Sequence, residues 1–310
     1  MNIVFLDAKT MGEVPNLKML EKSGNYTSYP ITLPHERKER IKTADIVITC
    51  KVIIDREMID SCPGLKLICV AATGTNNVDV EYAHSKGIAV KNVAGYSSES
   101  VAQLTVSMVL ALVSRIGYYD NFVKSGDYSR SDMFTHYGPR FFELKGKNLG
   151  IIGLGNIGAR VAEIFSAFGL NIFYHSVSGK NISDKYKHLD LNKLLSTSDI
   201  ITIHCPLNSQ TKNLIHKGNI SLMKPDAILV NMARGGIVNE SDIVTALNSG
   251  QIGAFGTDVF EKEPIPADSP FYQLNSKDNV IFTPHIAWTS VEARTLLIEK
   301  LVDNIKTFSA

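Results

Sequence analysis

A glycine signature in the middle of the chain sets the strongest constraint on its fold. Gly153-Leu154-Gly155-Asn156-Ile157-Gly158 reads G-x-G-x-x-G. An apolar run at 149–152 leads into it, and a helix-compatible segment at 159–168 follows and stops at Gly169. Strand, glycine turn and helix in that order make a cradle for a dinucleotide pyrophosphate. The first glycine allows the tight turn, the second lets backbone approach phosphate, and the third lets helix pack on strand. The helix start adds free N–H donors. Almost half of the 310 residues precede the signature, so a second domain must be built from them.

Strand-like runs at 3–6, 46–49, 67–70 and 88–90 alternate with helical candidates at 17–22, 55–61 and 79–86. Further strands are expected at 149–152, 171–174, 200–204, 228–231, 253–258 and 280–283, with helices near 157–168, 191–196, 240–249 and 290–308. This alternation predicts an α/β protein with two Rossmann-like, doubly wound parallel-sheet domains. Val101, Leu104, Met108 and Leu112 recur at helical spacing, so 99–116 reads as a buried connector helix, with Ser98 as a candidate cap. Residues 118–145 are polar and aromatic with little periodicity and read as an extended arm of the kind that builds dimer contacts. No strand follows the last helix, which is therefore expected to pack on the front domain. The cofactor domain, 99–286, then becomes an insertion in a discontinuous, flavodoxin-like substrate domain, 1–98 and 287–310. A ligand is expected in the cleft between them.

Lys and Arg total 32 against 31 Asp and Glu, so no charge excess points to a nucleic-acid or membrane partner. The start of the chain reads as a first strand rather than a signal peptide, and the apolar stretch 101–113 is too short to span a bilayer. Cys50, Cys62, Cys69 and Cys205 show no C-x-x-C pairing and read as reduced core thiols, which implies a cytoplasmic location. No metal site is expected.

Three later segments each follow an expected strand and bring chemistry to a strand end: 231–236, 258–264 and 283–287. Arg234 offers a planar fork for a carboxylate, or for a carboxylate oxygen and a C2 oxygen together. His285 can exchange a proton near neutral pH. Glu263 can hold the second ring nitrogen of His285 and fix its orientation. Singly, each has a plain structural reading: a turn arginine, a solvated loop charge, a turn histidine. Behind a dinucleotide signature, the three together suit hydride transfer between an alcohol and a ketone.

The chain resembles the D-2-hydroxyacid dehydrogenases over nearly its whole length. The matching segments are 72–79 (Ala-Thr-Gly-Thr-Asn-Asn-Val-Asp), 153–158, 204–207 (His-Cys-Pro-Leu), 231–236 (Asn-Met-Ala-Arg-Gly-Gly), 258–264 and 283–285 (Thr-Pro-His). The resemblance implies Arg234, Glu263 and His285 as catalytic residues, with the substrate carboxylate on Thr73, Gly74 and Thr75. It implies cofactor contacts from Gly153, Gly155, Asn156, Ile157, Gly158, His175, Ser176, His204, Pro206, Met232 and Ala233, with Asp258 accepting from the nicotinamide amide. It further implies a small 2-hydroxy or 2-keto acid as substrate and a cytoplasmic homodimer. Within the family, 71–79, 96–103 and 285–288 are similar to the glycerate dehydrogenase (hydroxypyruvate reductase) branch.

One departure concerns the cofactor. An acid for the adenosine ribose is expected at the end of the second strand, about 20 residues past the signature; here that strand ends in Tyr174-His175-Ser176. Ser176 and Lys180 can meet a 2′-phosphate, yet no arginine is present to grip it. NAD is the first choice, and NADP is not excluded. Glyoxylate, pyruvate and 3-phosphohydroxypyruvate stay open as substrates, the last needing cations such as Lys51 or Lys91. A non-enzymatic NADH-binding regulator is the alternative of a different class.

Overall fold

The computed structural model describes residues 1–309. The chain divides into two compact units, Met1–Ser97 with Trp288–Ala310, and Ser98–Ala287.

The first unit is built on a five-stranded parallel sheet in the order β2-β1-β3-β4-β5, formed by β1 (Asn2–Phe5), β2 (Asn25–Ser28), β3 (Ile46–Thr49), β4 (Leu67–Val70) and β5 (Ala89–Asn92). Every residue of β3 and β4 is buried, as expected for central strands covered on both faces. Alternation then sends side chains to two cores. Phe5, Ile46, Ile48 and Leu67 pack with Leu297, Ile298 and Leu301 of the C-terminal helix, Val291–Ser309. Val4, Val47, Ile68 and Val70 pack with Met58, Ile59 and Ala83 on the other face. Those last three lie on α2 (Arg56–Asp60) and α3 (Val80–Ser85), which follow the short α1 (Arg37–Ile41). Asp55 and Asp79 cap α2 and α3 by accepting from the N–H groups of Met58 and Tyr82. The helix expected at 17–22 is a 3-10 helix, Leu17–Ser23.

The second unit carries a seven-stranded parallel sheet, order β12-β11-β10-β9-β6-β7-β8. Its strands are β6 (Asn148–Ile152), β7 (Asn171–His175), β8 (Lys187–His188), β9 (Ile200–Ile203), β10 (Ile228–Asn231), β11 (Ala254–Thr257) and β12 (Val280–Phe282). Helix α4 (Ser98–Ser114) is a core element of this unit: Gly256 of β11 leaves space into which a Cβ would meet the Met108 sulfur at 2.5 Å. The expected extended arm begins instead as a helix, α5 (Ile116–Lys124). Arg115 adopts the left-handed region, φ 53°, and the two helices meet at a 64° bend. None of the α5 residues is buried, so its helical character rests on local contacts: Phe122 stacks on His136 at 3.7 Å, with Tyr118 and Tyr119 beside it. Among the described residues no single helix is long and apolar enough to cross a membrane. The remaining helices are α6 (Asn156–Ala167), α7 (Leu191–Thr197), α8 (Lys217–Ile220) and α9 (Glu240–Asn248).

All four cysteines are free and buried. Burial pushes the thiols of Cys50 and Cys205 up to about 11 and that of Cys69 to about 12, so they behave as small apolar core groups.

Candidate active site

The chain runs from β6 to β7 and β8 on one side of the second sheet, then places β9 on the other side of β6. Strand order therefore reverses between β6 and β9, where a doubly wound sheet opens a crevice for a dinucleotide. The glycine signature sits there. Gly153 has φ 95°, and a Cβ on it would meet the backbone nitrogen of Cys205 at 2.7 Å. A Cβ on Gly158 would meet the Gly153 carbonyl oxygen at 2.2 Å, so α6 crosses the turn too closely for any side chain. Gly155 faces open space. Asn156 and Ile157 open α6, whose first N–H groups lack helical acceptors. A cavity of about 150 Å³ lies against this turn, lined among others by Gly153, Gly155, Ser176, His204 and Pro206.

His204 is the unusual member. Both of its ring nitrogens are buried and have no partner among the described residues. Burial depresses it to about 3, so it is a neutral imidazole at physiological pH. A cradle that excludes side chains, free helix N–H groups and an orphaned imidazole together fit a bound nicotinamide dinucleotide. His175 is not in that lining; its Nδ1 donates to the Leu189 carbonyl at 3.1 Å and its ring stacks on His188.

Arg234, Asp258 and His285 follow β10, β11 and β12, which are neighbours in the sheet. Asn231, buried at the end of β10, folds the arginine loop: its side-chain amide donates to the Arg234 carbonyl at 2.9 Å, and its Oδ1 accepts from Ala233 N–H. The guanidinium donates through Nη1 to the Ala233 carbonyl at 2.7 Å. Met232 and Ala233 are buried beneath it. Gly235 lies directly on the next loop, where a Cβ would meet the Phe260 carbonyl oxygen at 1.9 Å. Only glycine permits that approach, which joins the arginine loop to the loop carrying Glu263.

Glu263 bridges onward. Its Oε1 accepts from Phe260 N–H at 3.0 Å and its Oε2 from His285 Nδ1 at 2.7 Å. The carboxylate sets the tautomer, with the proton on Nδ1. His285 Nε2 has no partner among the described residues, and the side chain is 21% exposed. Glu240, at the start of α9, accepts from Glu261 N–H at 2.7 Å and steadies the same loop.

The histidine sits on strained backbone, φ 56°. Asp258 holds it there. Its Oδ1 accepts from Thr283 Oγ1 at 2.6 Å and from Ile286 N–H at 2.8 Å, and its Oδ2 from Ala287 N–H at 2.9 Å. The His285 N–H donates to the Asp258 carbonyl at 2.9 Å. Burial pushes the Asp258 carboxyl up, and these donors pull it back. Asn231, Gly235 and Thr283 lie in segments that the sequence singles out, but their roles there, and that of Glu240, come from the structure. Only Gly235, inside the Arg-Gly-Gly run, carried a local signal.

In the first unit, Thr73, Gly74 and Thr75 follow β4. Asn92 donates to the Thr73 carbonyl at 2.5 Å, Val78 N–H donates to that of Thr75, and the Thr73 hydroxyl donates to the Val93 carbonyl at 3.3 Å. Their three successive N–H groups donate to nothing among the described residues, leaving a row of donors free for an anion.

Residues 106–287 match the family described as D-isomer specific 2-hydroxyacid dehydrogenase, NAD binding domain. The chain is 37% identical to the hydroxypyruvate reductase of Blautia hydrogenotrophica, over 99% of this chain and 97% of the relative. It is also 37% identical to the glycerate dehydrogenase of Methylorubrum extorquens, over 99% and 96%. Among solved structures it is similar to an acyclic imino acid reductase in complex with NADPH and D-Arg, with a TM-score of 0.89 and 29% identity over 100% of this chain and 97% of that one. On its sequence, its paired parallel sheets and its NAD-binding second unit, the chain belongs to the D-isomer specific 2-hydroxyacid dehydrogenase family and is an NAD-dependent D-2-hydroxyacid dehydrogenase.

Proposed function

We propose that the chain reduces hydroxypyruvate to D-glycerate, with His285, Glu263 and Arg234 as its catalytic residues. The observation that carries the catalytic roles is the 2.7 Å bond from His285 Nδ1 to Glu263, which leaves Nε2 as the one ring atom able to deliver a proton, while the likeness to a hydroxypyruvate reductase and a glycerate dehydrogenase supports the substrate. The nicotinamide, when bound, supplies the hydride to C2. His285 Nε2 donates the proton to the forming alkoxide, while Glu263 stabilises the imidazolium from the other side. Arg234 keeps guanidinium N–H groups beyond the one given to Ala233, enough to hold a carboxylate and polarise the ketone. The free N–H groups of Thr73, Gly74 and Thr75 bind the carboxylate. The dinucleotide is held by Gly153, Gly155, Asn156, Ile157 and Gly158 at its pyrophosphate, with Ser176, His204 and Pro206 at the cavity wall. Met232 and Ala233 support the nicotinamide end, and Asp258 accepts from its amide.

NAD is the proposed partner over NADP. The end of β7 carries neither an acid nor an arginine, and His175 is engaged by Leu189. The test is a grid of specificity constants for hydroxypyruvate, glyoxylate, pyruvate and 3-phosphohydroxypyruvate, each against NADH and NADPH. Hydroxypyruvate with NADH is expected to lead. A preference for phosphohydroxypyruvate, using Lys51 or Lys91, would overturn the substrate, and no turnover in any cell would favour a regulatory binder.

We also propose a cytoplasmic homodimer. Phe134, Tyr137 and Phe141 are 92%, 84% and 61% exposed, an apolar surface that a second copy would cover. Light scattering showing a monomer at micromolar concentration would overturn it. Four free cysteines suit a reducing compartment, which cell fractionation can check.

A further inference from the structure

The first unit has a reversal of its own. From β1 the chain goes to β2 on one side, and β3, β4 and β5 then succeed one another on the other. A doubly wound sheet recruits ligands outside the carboxyl ends of its strands at such a point. The segments that follow β1, β2 and β3 line an open cavity of about 680 Å³ there. The carboxylate loop at Thr73, which follows β4, is not part of its lining.

The floor of this cavity is rigid and chemically closed. Asp7 accepts from the N–H groups of Cys50, Lys51 and Val52 at 2.8, 2.6 and 3.2 Å and so fixes the backbone that carries Lys51. Thr10 and Thr32 spend their hydroxyls on the carbonyls of Asp7 and Leu6. Arg37 donates to the carbonyls of Pro34 and Ile53 and pairs with Asp55. Two kinds of group are left over. Ile31 and Ile53 are 56% and 57% exposed, so the fold leaves large apolar side chains in water beside a cavity. Lys9 and Lys51 also line it, and neither forms an ion pair among the described residues. Apolar walls with two ammonium groups outside any ion pair, Lys51 lying within electrostatic reach of the Asp7 carboxylate, complement a particular ligand chemistry: one negative charge on an apolar body.

We propose that this cavity is a second ligand site, distinct from the carboxylate loop, which takes a small organic acid whose carboxylate meets Lys9 and Lys51 and whose apolar part covers Ile31 and Ile53. The site is independent of the reaction proposed above. Its test reads binding rather than turnover, so failure of either leaves the other standing.

Hexanoate is the probe, with acetate and hexan-1-ol as controls lacking the apolar body or the charge. Full-length protein saturated with NADH is titrated and followed by amide NMR. Hexanoate should shift the amides of Lys51, Val52 and Ile53, and both controls should bind more weakly. Lys9→Gln should weaken hexanoate about threefold. The double variant Ile31→Ser with Ile53→Ser should weaken it about tenfold. Both variants alter exposed side chains and should keep wild-type melting temperature and keto-acid reduction rate. Shifts confined to Thr73, Gly74 and Thr75, competition with the keto acid, or unchanged hexanoate affinity in both variants would overturn the proposal.

Discussion

Asp7 in the first unit and Asp258 in the second are two versions of one device. Each is a buried aspartate just past a parallel strand, and each accepts backbone N–H groups from a neighbouring loop. In both, burial pushes the carboxyl up and the hydrogen bonds pull it back. The loops they hold differ. Residues 50–52, held by Asp7, contain no left-handed residue, whereas the loop held by Asp258 contains His285 at φ 56°. A non-glycine residue in that region costs on the order of 1 kcal/mol or more. Asp7 therefore braces a relaxed loop, and Asp258 holds a strained one. Removing the first should be felt mainly as lost stability, and removing the second as lost alignment of the proton donor.

The largest effect should come from His285 itself. His285→Ala should lower kcat about 10³-fold, since it deletes the ring nitrogen that delivers the proton. A rate within tenfold of wild type, in a stopped-flow or steady-state assay, would remove the reason for treating the second loop as special. The sharper comparison is Asp258→Asn against Asp7→Asn. An amide keeps one acceptor oxygen and turns an NH₂ toward a former donor, so each variant loses charge-assisted hydrogen bonds worth about 1.5–3 kcal/mol apiece. Both should melt lower. Only Asp258→Asn should also lose kcat, by about tenfold or more, with a smaller change in KM. Equal kcat losses in the two variants would break the distinction between brace and clamp.

Acid should separate the units as well. His204, in the second unit, has an ordinary value of 6.5 and is depressed by burial to about 3. Above pH 6.5 both folded and unfolded chains hold it neutral. As pH falls below 6.5 the unfolded chain takes up a proton that the folded chain refuses. The stability this site supports is thus lost at about 1.4 kcal/mol per pH unit until about pH 3. Hydrogen exchange in β9 should therefore accelerate between pH 7 and pH 5, relative to β3 and after correction for intrinsic rates. His204→Gln should flatten that difference. An unchanged gap between wild type and variant would show that the imidazole is solvated after all.

The two units were not equally legible in the sequence, and their sheets show why. Central strands such as Ile46–Thr49 and Ile200–Ile203 are buried on both faces, so they appear as unbroken apolar runs. The edge strands Asn25–Ser28 and Lys187–His188 went unseen, because they are short, largely exposed and carry no apolar run. Helix α5 was missed for a related reason: its apolar stripe, Ile116, Tyr119 and Val123, is short and unburied, and its rings pack on His136 from a separate segment. At the candidate site, residue types near strand ends could be read, since glycine, arginine and histidine announce themselves. What holds them could not. The bonds from Asp258 reach 25 to 29 residues along the chain, and nothing local to Thr283 or Asn231 distinguishes them from ordinary strand-end polar residues.

Thr283 offers the finest test of the comparison, because its hydroxyl touches only the clamp. It gives Asp258 Oδ1 a 2.6 Å bond, while the two backbone donors remain whatever residue stands at 283. Thr283→Val keeps the shape and removes one donor of three, at a cost of about 1.5–3 kcal/mol. If Asp258 acts by holding the His285 turn, kcat should fall a few-fold while KM for the cofactor stays nearly constant, and Thr283→Ser should restore most of the rate. If Asp258 serves the cofactor alone, loosening it should instead raise cofactor KM, and the serine variant would rescue binding rather than turnover. The split between kcat and KM thus decides which of its two duties the buried carboxylate performs through this bond.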